Sequence, residues 1–191
     1  MKEGSVKLEK ELLQGLQQNH EEALASLMKM YYANLYNYGA RFTKDDGLIK
    51  DCIQEVFISL WQRRETAESI LSPRYYFLRA IKNKVLKAIH KNVDKISSAD
   101  LQGEYDFFHD FSIEQVIAEK QVSKEKAIKL RNVLSLLSKK QKEIIYLKYY
   151  QYLDHGQIAE LMNISRQSVY NLLHEVIHKL RSLWHTGSVV H

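Results

Sequence analysis

The chain has little of several residue types, and each shortage excludes a class of protein. Its 191 residues contain one cysteine, one proline and seven glycines. A single cysteine excludes an internal disulfide framework and is typical of a reducing cytoplasm, so we expect a cytoplasmic protein. No apolar run approaches the roughly 18 residues of a membrane span, which argues against direct membrane insertion. Few helix breakers and few alternating β-branched segments predict an almost wholly helical protein.

The charge balance is modestly basic. There are 28 lysines and arginines against 23 acidic residues, a net charge of +5 and a pI near 9.1. This excess is compatible with a nucleic-acid partner but does not by itself indicate one.

Composition divides the chain into three blocks. Residues 21–92 and 113–184 have helical patterning, whereas residues 93–112 are an aperiodic, acidic and aromatic segment typical of a linker. We therefore predict an all-α protein of two small helical domains joined by a linker. The first domain has three apolar stripes at helical spacing, which are Leu24, Leu27, Met28, Tyr31, Leu35 and Tyr38; Ile49, Cys52, Ile53, Val56 and Leu60; and Phe77, Leu78, Ile81, Val85, Ala88 and Ile89.

Residues 155–172 have the pattern of a helix-turn-helix. Ile158, Ala159 and Met162 share one side of the first helix, and small Ala159 permits a close helix crossing. Asn163 tolerates the left-handed conformation that the turn needs, and Ser165 is a good N-cap. The second helix is predicted to bury Val169, Leu172, Leu173, Val176 and Leu180.

The opposite face of that second helix is polar. Its side chains can bond to base edges or phosphates in the major groove of double-stranded DNA. These residues are Arg166, Gln167, Tyr170, Asn171 and His174. We therefore expect the C-terminal domain to be a helix-turn-helix domain without a wing, although an ordinary helical hairpin is the alternative.

A second basic element covers residues 74–95. Lys84, Lys87, Lys91 and Lys95 share a face apart from the apolar stripe, which suits contact with phosphates. The adjoining aromatic residues, Tyr75, Tyr76 and Phe77, could receive unstacked bases of single-stranded DNA. The alternative is a solvated basic helix with core aromatics.

A third element, residues 46–64, leaves a mixed face outside its apolar stripe. An apolar side chain among polar ones, with a tryptophan at the edge, is typical of a protein-binding face. The face consists of Asp51, Gln54, Glu55 and Ile58, with Trp61 beside it. A solvated face with one exposed isoleucine explains the same pattern.

Together the three elements resemble a bacterial sigma factor of the extracytoplasmic-function group of the sigma-70 family. The first domain contains Asp51-Cys52-Ile53-Gln54-Glu55-Val56-Phe57 followed by Leu60-Trp61, and then Phe77-Leu78-Arg79-Ala80-Ile81-Lys82-Asn83. In this family the first motif grips the clamp helices of the RNA polymerase core. The resemblance thus implies that Asp51, Gln54, Glu55 and Ile58 contact the polymerase.

The resemblance also implies two contacts with promoter DNA. The residues expected to recognise and melt the −10 element are Asn83, Lys84, Lys87, His90 and Lys91. Those expected to read the −35 element are Ser165, Arg166, Gln167, Ser168, Tyr170, Asn171 and His174. Departures from the family pattern include Lys87, where many members have aspartate, and Gly156, where an acidic residue is expected.

The resemblance further implies an anti-sigma partner, and no cofactor or small-molecule substrate. A stand-alone regulator that binds an operator as a dimer is the competing hypothesis. An enzyme has weak support, because His174 and His178 have a metal-binding spacing but lack the glutamate of a metalloprotease. We expect no metal site and no catalytic residue, and interpret Cys52 as a small core residue.

Overall fold

The described residues form helices and no strand. A computed structural model describes residues 3–93 and 124–186, and the chain divides into two units, Met1–Tyr105 and Asp106–His191. The predicted all-α architecture is therefore confirmed. The predicted linker lies outside the described residues except for Val93, and so does Lys95.

The first unit is a bundle in which α2, α3 and α4 pack against one another and α1 packs against α2. Its elements are α1 (Glu3–Gln17), α2 (Glu21–Gly39), α3 (Asp46–Gln62), a short 3-10 helix (Arg64–Ser69) and α4 (Pro73–Val93). As expected of a residue that lacks a backbone N–H, proline occupies the first position of α4.

The three apolar stripes of the sequence meet in the core of this bundle. All five residues of the α3 stripe are buried, and so are the central residues of the other two stripes. Phe77 of α4 lies at the centre, with its ring centroid 4.5 Å from Tyr31 and 5.2 Å from Phe57. The ends of the stripes are only half-buried, at Leu24, Met28, Ala88 and Ile89.

Close contact between α2 and α3 depends on one glycine. A Cβ on Gly39 would lie 3.0 Å from the Cγ2 atom of Ile49, which is fully buried. The loop then ends at Asp45, whose carboxylate accepts the backbone N–H of Leu48 at 3.0 Å and caps α3. These contacts fix where α3 begins and how it is rotated.

Helix α1 precedes the start of the predicted domain at residue 21 and packs onto it. Leu13 and Leu16 are buried, and Gln14 donates a hydrogen bond to Glu68 of the 3-10 helix at 3.2 Å. Burial and the nearby carboxylate of Glu9 raise the pKa of Tyr31 on α2, although Arg74 of α4 acts in the opposite direction. The hydroxyl of Tyr31 therefore stays protonated where α1, α2 and α4 meet.

The second unit is built around one long helix. Its elements are α5 (Lys124–Ser135), α6 (Lys139–Ile145), a π-helical turn (Tyr146–Tyr150), α7 (His155–Met162) and α8 (Arg166–Thr186), and α8 packs against α5, α6 and α7. A capping box begins α6, because the side chains of Ser138 and Gln141 each accept the other's backbone N–H. The core includes Val133, Leu134, Ile144, Leu147, Ile158, Val169 and Val176.

Two details of this core differ from the prediction. Leu161, not Met162, is the fully buried residue at the end of α7, because α7 packs against the π-helical turn as well as α8. Leu172 and Leu180 of α8 are half-buried rather than buried. The stripe of α8 is therefore correct in position but narrower than predicted.

The tyrosines before α7 do not all pack into the core. Tyr146 is buried and stacks on Tyr150 at 5.3 Å, whereas Tyr149 and Tyr152 are more than half exposed. Tyr152 also has a φ of 55°, a left-handed conformation that costs a residue with a Cβ roughly 1–2 kcal/mol. The chain is held in this shape by the bond from the Leu153 N–H to the Leu147 carbonyl.

We expect Tyr152→Gly to be more stable than Tyr152→Ala by about 1 kcal/mol, because both remove the ring but only glycine adopts a positive φ without cost. Tyr149 provides the matched pair, since it is similarly exposed and has an ordinary φ. There alanine should be the more stable by about 0.5–1 kcal/mol. Urea unfolding of the full chain measures both differences, and the same ranking at both positions would contradict the strain at Tyr152.

Candidate polymerase and DNA interfaces

The outward face of α3 is assembled by the burial of its other side. With the apolar stripe packed inward, all four residues predicted to bind polymerase are exposed, and Ile58 is 55% exposed. They are Asp51, Gln54, Glu55 and Ile58. At the edge, Trp61 is half-buried and the guanidinium of Arg64 lies 4.8 Å above its ring.

Cys52 lies beneath this face in the core. It is a buried free thiol, as predicted. Burial raises its pKa, and the carboxylate of Glu55 adds to the effect while Lys84 opposes it. The thiol therefore stays protonated and packs as a small apolar side chain.

Helix α4 presents the residues predicted to contact −10 DNA. Asn83, Lys87, His90 and Lys91 are exposed, whereas Lys84 is half-buried. The Nζ atom of Lys84 lies 3.0 Å from the Oε2 atom of Glu55 on α3 and donates a hydrogen bond to it. The structure thus joins a residue expected to bind DNA to one expected to bind polymerase, which the sequence patterns did not indicate.

The aromatic cluster at the start of α4 is not a single surface. Phe77 is a core residue at 1% exposure, as its place in the apolar stripe of α4 predicts, so it cannot receive an unstacked base. Tyr75 and Tyr76 are half-buried, and burial raises the pKa of Tyr76. Leu71, just before α4, is 99% exposed. The sequence patterns did not single it out as an exposed apolar residue, because one leucine in a loop has no periodic signal.

The helix-turn-helix has the predicted turn. Asn163 ends α7 in the left-handed conformation, with φ 53° and ψ 50°. Ser165 then caps α8, since its hydroxyl accepts the N–H of Ser168 at 3.0 Å. At the other end of α7, Asp154 and Gln157 form a second capping box. Caps on both sides compensate for the shortness of an eight-residue helix.

The outer face of α8 is exposed and partly ordered by its own contacts. All seven residues predicted to read the −35 element are exposed. Gln167 donates a hydrogen bond to Asn171 at 3.0 Å, and the hydroxyls of Ser165 and Ser168 are 2.8 Å apart. The ring of Tyr170 lies 4.2 Å from that of His155 on α7. The sequence patterns did not indicate this contact between His155 and Tyr170, because it forms only where α7 crosses α8.

Gly156 makes room for Arg166. A Cβ at this position would lie 2.9 Å from the Nη2 atom of Arg166 and 3.2 Å from the Oδ1 atom of Asp154. The guanidinium of Arg166 therefore lies directly over the first turn of α7. The departure of Gly156 from the family pattern has a structural counterpart in this close approach.

His174 and His178 line an open groove along α8 with Glu175, Lys179, Ser182 and Leu183. The nearest carboxylate in the sequence, Glu175, accepts a hydrogen bond from Gln141 at 2.6 Å. Within residues 3–93 and 124–186, no three potential ligands group together around a metal position. The histidine pair therefore gains no support as a metal site from its surroundings.

Protein-family models match both units of the chain. The model of sigma-70 region 2 matches residues 27–93, and that of sigma-70 region 4 matches residues 127–180, which together exceed half of the chain. The chain belongs to the sigma-70 family. It is a sigma factor of transcription initiation, a role in which such proteins bind RNA polymerase and promoter DNA.

Solved structures add similarity of fold. The structure of CnrH in complex with the cytosolic domain of CnrY is similar over 94% of this chain and 98% of the matched one, with 14% identity and a TM-score of 0.50. The structure of the RsbN–BldN complex aligns over 90% of this chain and 98% of the matched one, with 16% identity and a TM-score of 0.33. No curated protein matches the chain significantly.

Among the described residues, no helix is both long and apolar enough to cross a membrane.

We expect Gly156→Ala to stabilise the protein less in the wild-type background than in an Arg166→Ala background. Alanine is favoured over glycine in a helix by about 0.5–1 kcal/mol. In the wild type, the new Cβ displaces the Arg166 guanidinium and part of this gain is lost. Urea unfolding of the four proteins measures the difference. Equal gains in both backgrounds would contradict the position of the guanidinium over Gly156.

Proposed function

We propose that this sigma factor directs core RNA polymerase to its promoters through three separate surfaces. The outward face of α3 binds the polymerase, α4 binds the melted −10 strand, and α8 reads the −35 duplex. The observation that carries the proposal is that each residue set, apart from half-buried Lys84, is exposed on one helix, in a chain whose two units match regions 2 and 4. The protein would act in the cytoplasm as a binding subunit, without catalytic residues, cofactor or metal.

The face of α3 has the chemistry of a protein contact. Ile58 supplies an apolar side chain that is more than half exposed, and Asp51 and Glu55 supply negative charge around it. An apolar centre surrounded by polar groups is the common arrangement of binding hot spots. The stripe beneath it is buried, so the backbone of this face is held rigidly by the core.

The exposed face of α4 suits a single strand that has left the duplex. Lys87 and Lys91 are one helical turn apart and exposed, with His90 beside them, so they can follow consecutive phosphates. Melting requires no chemical step from the protein. Its free energy is offset by phosphate contacts and by stacking of released bases on exposed side chains.

The face of α8 suits a major groove. The N-terminal turns of a recognition helix approach the base edges, and those of α8 hold Gln167 and Asn171. The hydrogen bond between their amides fixes both orientations before DNA arrives. Arg166 and the two serines are better placed for phosphate contacts at the helix start.

The competing hypothesis, a stand-alone operator-binding regulator, is not favoured. It explains α8 but gives the α3 face no partner, and it does not explain the match to region 2. Stable association with core polymerase discriminates the two, because a regulator does not require it.

An anti-sigma protein is a further proposed partner. The resemblance to the extracytoplasmic-function group implies one, and the solved CnrH structure contains a bound protein, the cytosolic domain of CnrY. Such a partner would compete with the polymerase or DNA for the surfaces described above.

We expect Lys87→Glu/Lys91→Glu to abolish promoter opening while leaving association with core polymerase intact, because the charges lie on α4 and not on the α3 face. The plot of log K against log salt has a negative slope. Each lost phosphate contact should reduce the magnitude of this slope by about 0.7–0.9, and two contacts should reduce it by about 1.5. Run-off transcription, co-purification with core and salt titration of promoter binding give the three readouts.

The control is Lys10→Glu/Lys29→Glu, which makes the same change in net charge at two exposed lysines on α1 and α2. The control should open promoters normally. Normal transcription by the α4 variant would refute the −10 assignment, and failure of the wild type to bind core would refute the proposed function itself.

Gln167→Ala and Asn171→Ala should each relax −35 preference at one or two base pairs, by about 1–3 kcal/mol per position. Asn171→Ala also removes the acceptor that orients Gln167, so its effect should include the position read by Gln167. Selection of −35 sequences by the reconstituted holoenzyme measures the change. Arg181→Ala, exposed near the far end of α8, is the control. Unchanged preference in the first two variants would show that they face only phosphate.

A further inference from the structure

The ion pair between Glu55 and Lys84 links two surfaces that have different proposed partners. The Oε2 atom of Glu55 on α3 and the Nζ atom of Lys84 on α4 are 3.0 Å apart. The side chain of Glu55 is 63% exposed, whereas that of Lys84 is 28% exposed. A macromolecule that approaches the α3 face therefore meets the carboxylate, while the ammonium stays partly covered.

Neither side chain can serve both neighbours fully. A carboxylate that accepts a hydrogen bond from the polymerase gives up part of its interaction with Lys84. An ammonium that binds a DNA phosphate gives up part of its interaction with Glu55. In the free protein the negative charge of Glu55 also repels the phosphate that Lys84 would bind.

We propose that Glu55 is a positioning residue for −10 recognition, which holds Lys84 away from DNA until core polymerase engages the Glu55 carboxylate. Polymerase binding then releases the Lys84 ammonium for the phosphate backbone of the melted strand. By linkage, the same exchange makes −10 DNA strengthen the grip of the polymerase on Glu55. The inference rests on the proposed function, because it requires both partners.

The expected size of the change in DNA affinity follows from the exposure of the ion pair between Glu55 and Lys84. An exposed ion pair has a modest strength that salt screens, so its release should change DNA affinity by about two- to five-fold at low salt. The ion pair therefore favours binding of the polymerase before DNA, but it does not prevent the free protein from binding DNA.

The first test needs only the free protein. Glu55→Gln should raise the affinity for a single-stranded −10 oligonucleotide two- to five-fold more than Asp51→Asn does. Asp51 is the matched control, since it lies on the same face, is exposed and loses one negative charge in the same way. In a Lys84→Gln background the two variants should have equal effects.

A chemical measurement follows Lys84 directly. The rate of acetylation of its amine, read by mass spectrometry of the free protein, should rise several-fold in Glu55→Gln and stay at the wild-type value in Asp51→Asn. Equal changes in both variants, in affinity or in acetylation, would overturn the proposal.

The second test uses the holoenzyme at saturating core. There the advantage of Glu55→Gln in oligonucleotide affinity should disappear, because polymerase has already taken the carboxylate in the wild type. An advantage that persists in the holoenzyme would overturn the release step. Failure of the wild-type chain to form a complex with core would instead refute the proposed function, and the free-protein result would still decide whether Glu55 restrains Lys84.

Discussion

The packing of α3 against α4 is the constraint on which both surfaces of the first unit depend. Val56, Phe57 and Leu60 from α3 and Phe77, Ile81 and Val85 from α4 are all buried. This burial fixes the rotation of each helix about its axis, and the rotation decides which residues point outward. The outward face of α3, the basic face of α4 and the ion pair between them are consequences of one apolar interface. A core substitution that rotates either helix would alter all three together.

In the second unit, the orientation of α8 depends on its contacts with α7, which is a very short helix. Helix α7 has eight residues and is held by a capping box, a left-handed asparagine and contact with α8. Two further contacts cross between the helices, His155 with Tyr170 and Gly156 with Arg166. The first turn of α7 thus supports side chains that the sequence assigns to the DNA face of α8. Recognition in this unit is a property of both helices.

The sequence predicted what local periodicity controls. The helical class, the α3 stripe and the turn at Asn163 are all confirmed, since each depends on neighbours within a few residues. Leu161 in place of Met162 depends on which elements pack together, which spacing alone does not contain. The same reason hid the Glu55–Lys84 pair and the contacts around Gly156. The residues proposed to bind polymerase and DNA were found on exposed faces, and their roles remain predictions.

Helix α4 is longer than the core that supports it. Its 21 residues span about 31 Å at 1.5 Å per residue, yet no side chain described between Leu86 and Lys91 is fully buried. In the turns that hold Lys87, His90 and Lys91, the apolar side chains of Ala88 and Ile89 are only half-buried. Amide hydrogens there should exchange with solvent faster than those near Phe77. The C-terminal part of α4, which is proposed to bind DNA, can therefore bend or fray to follow a strand whose path varies, while the part nearest the core keeps its register.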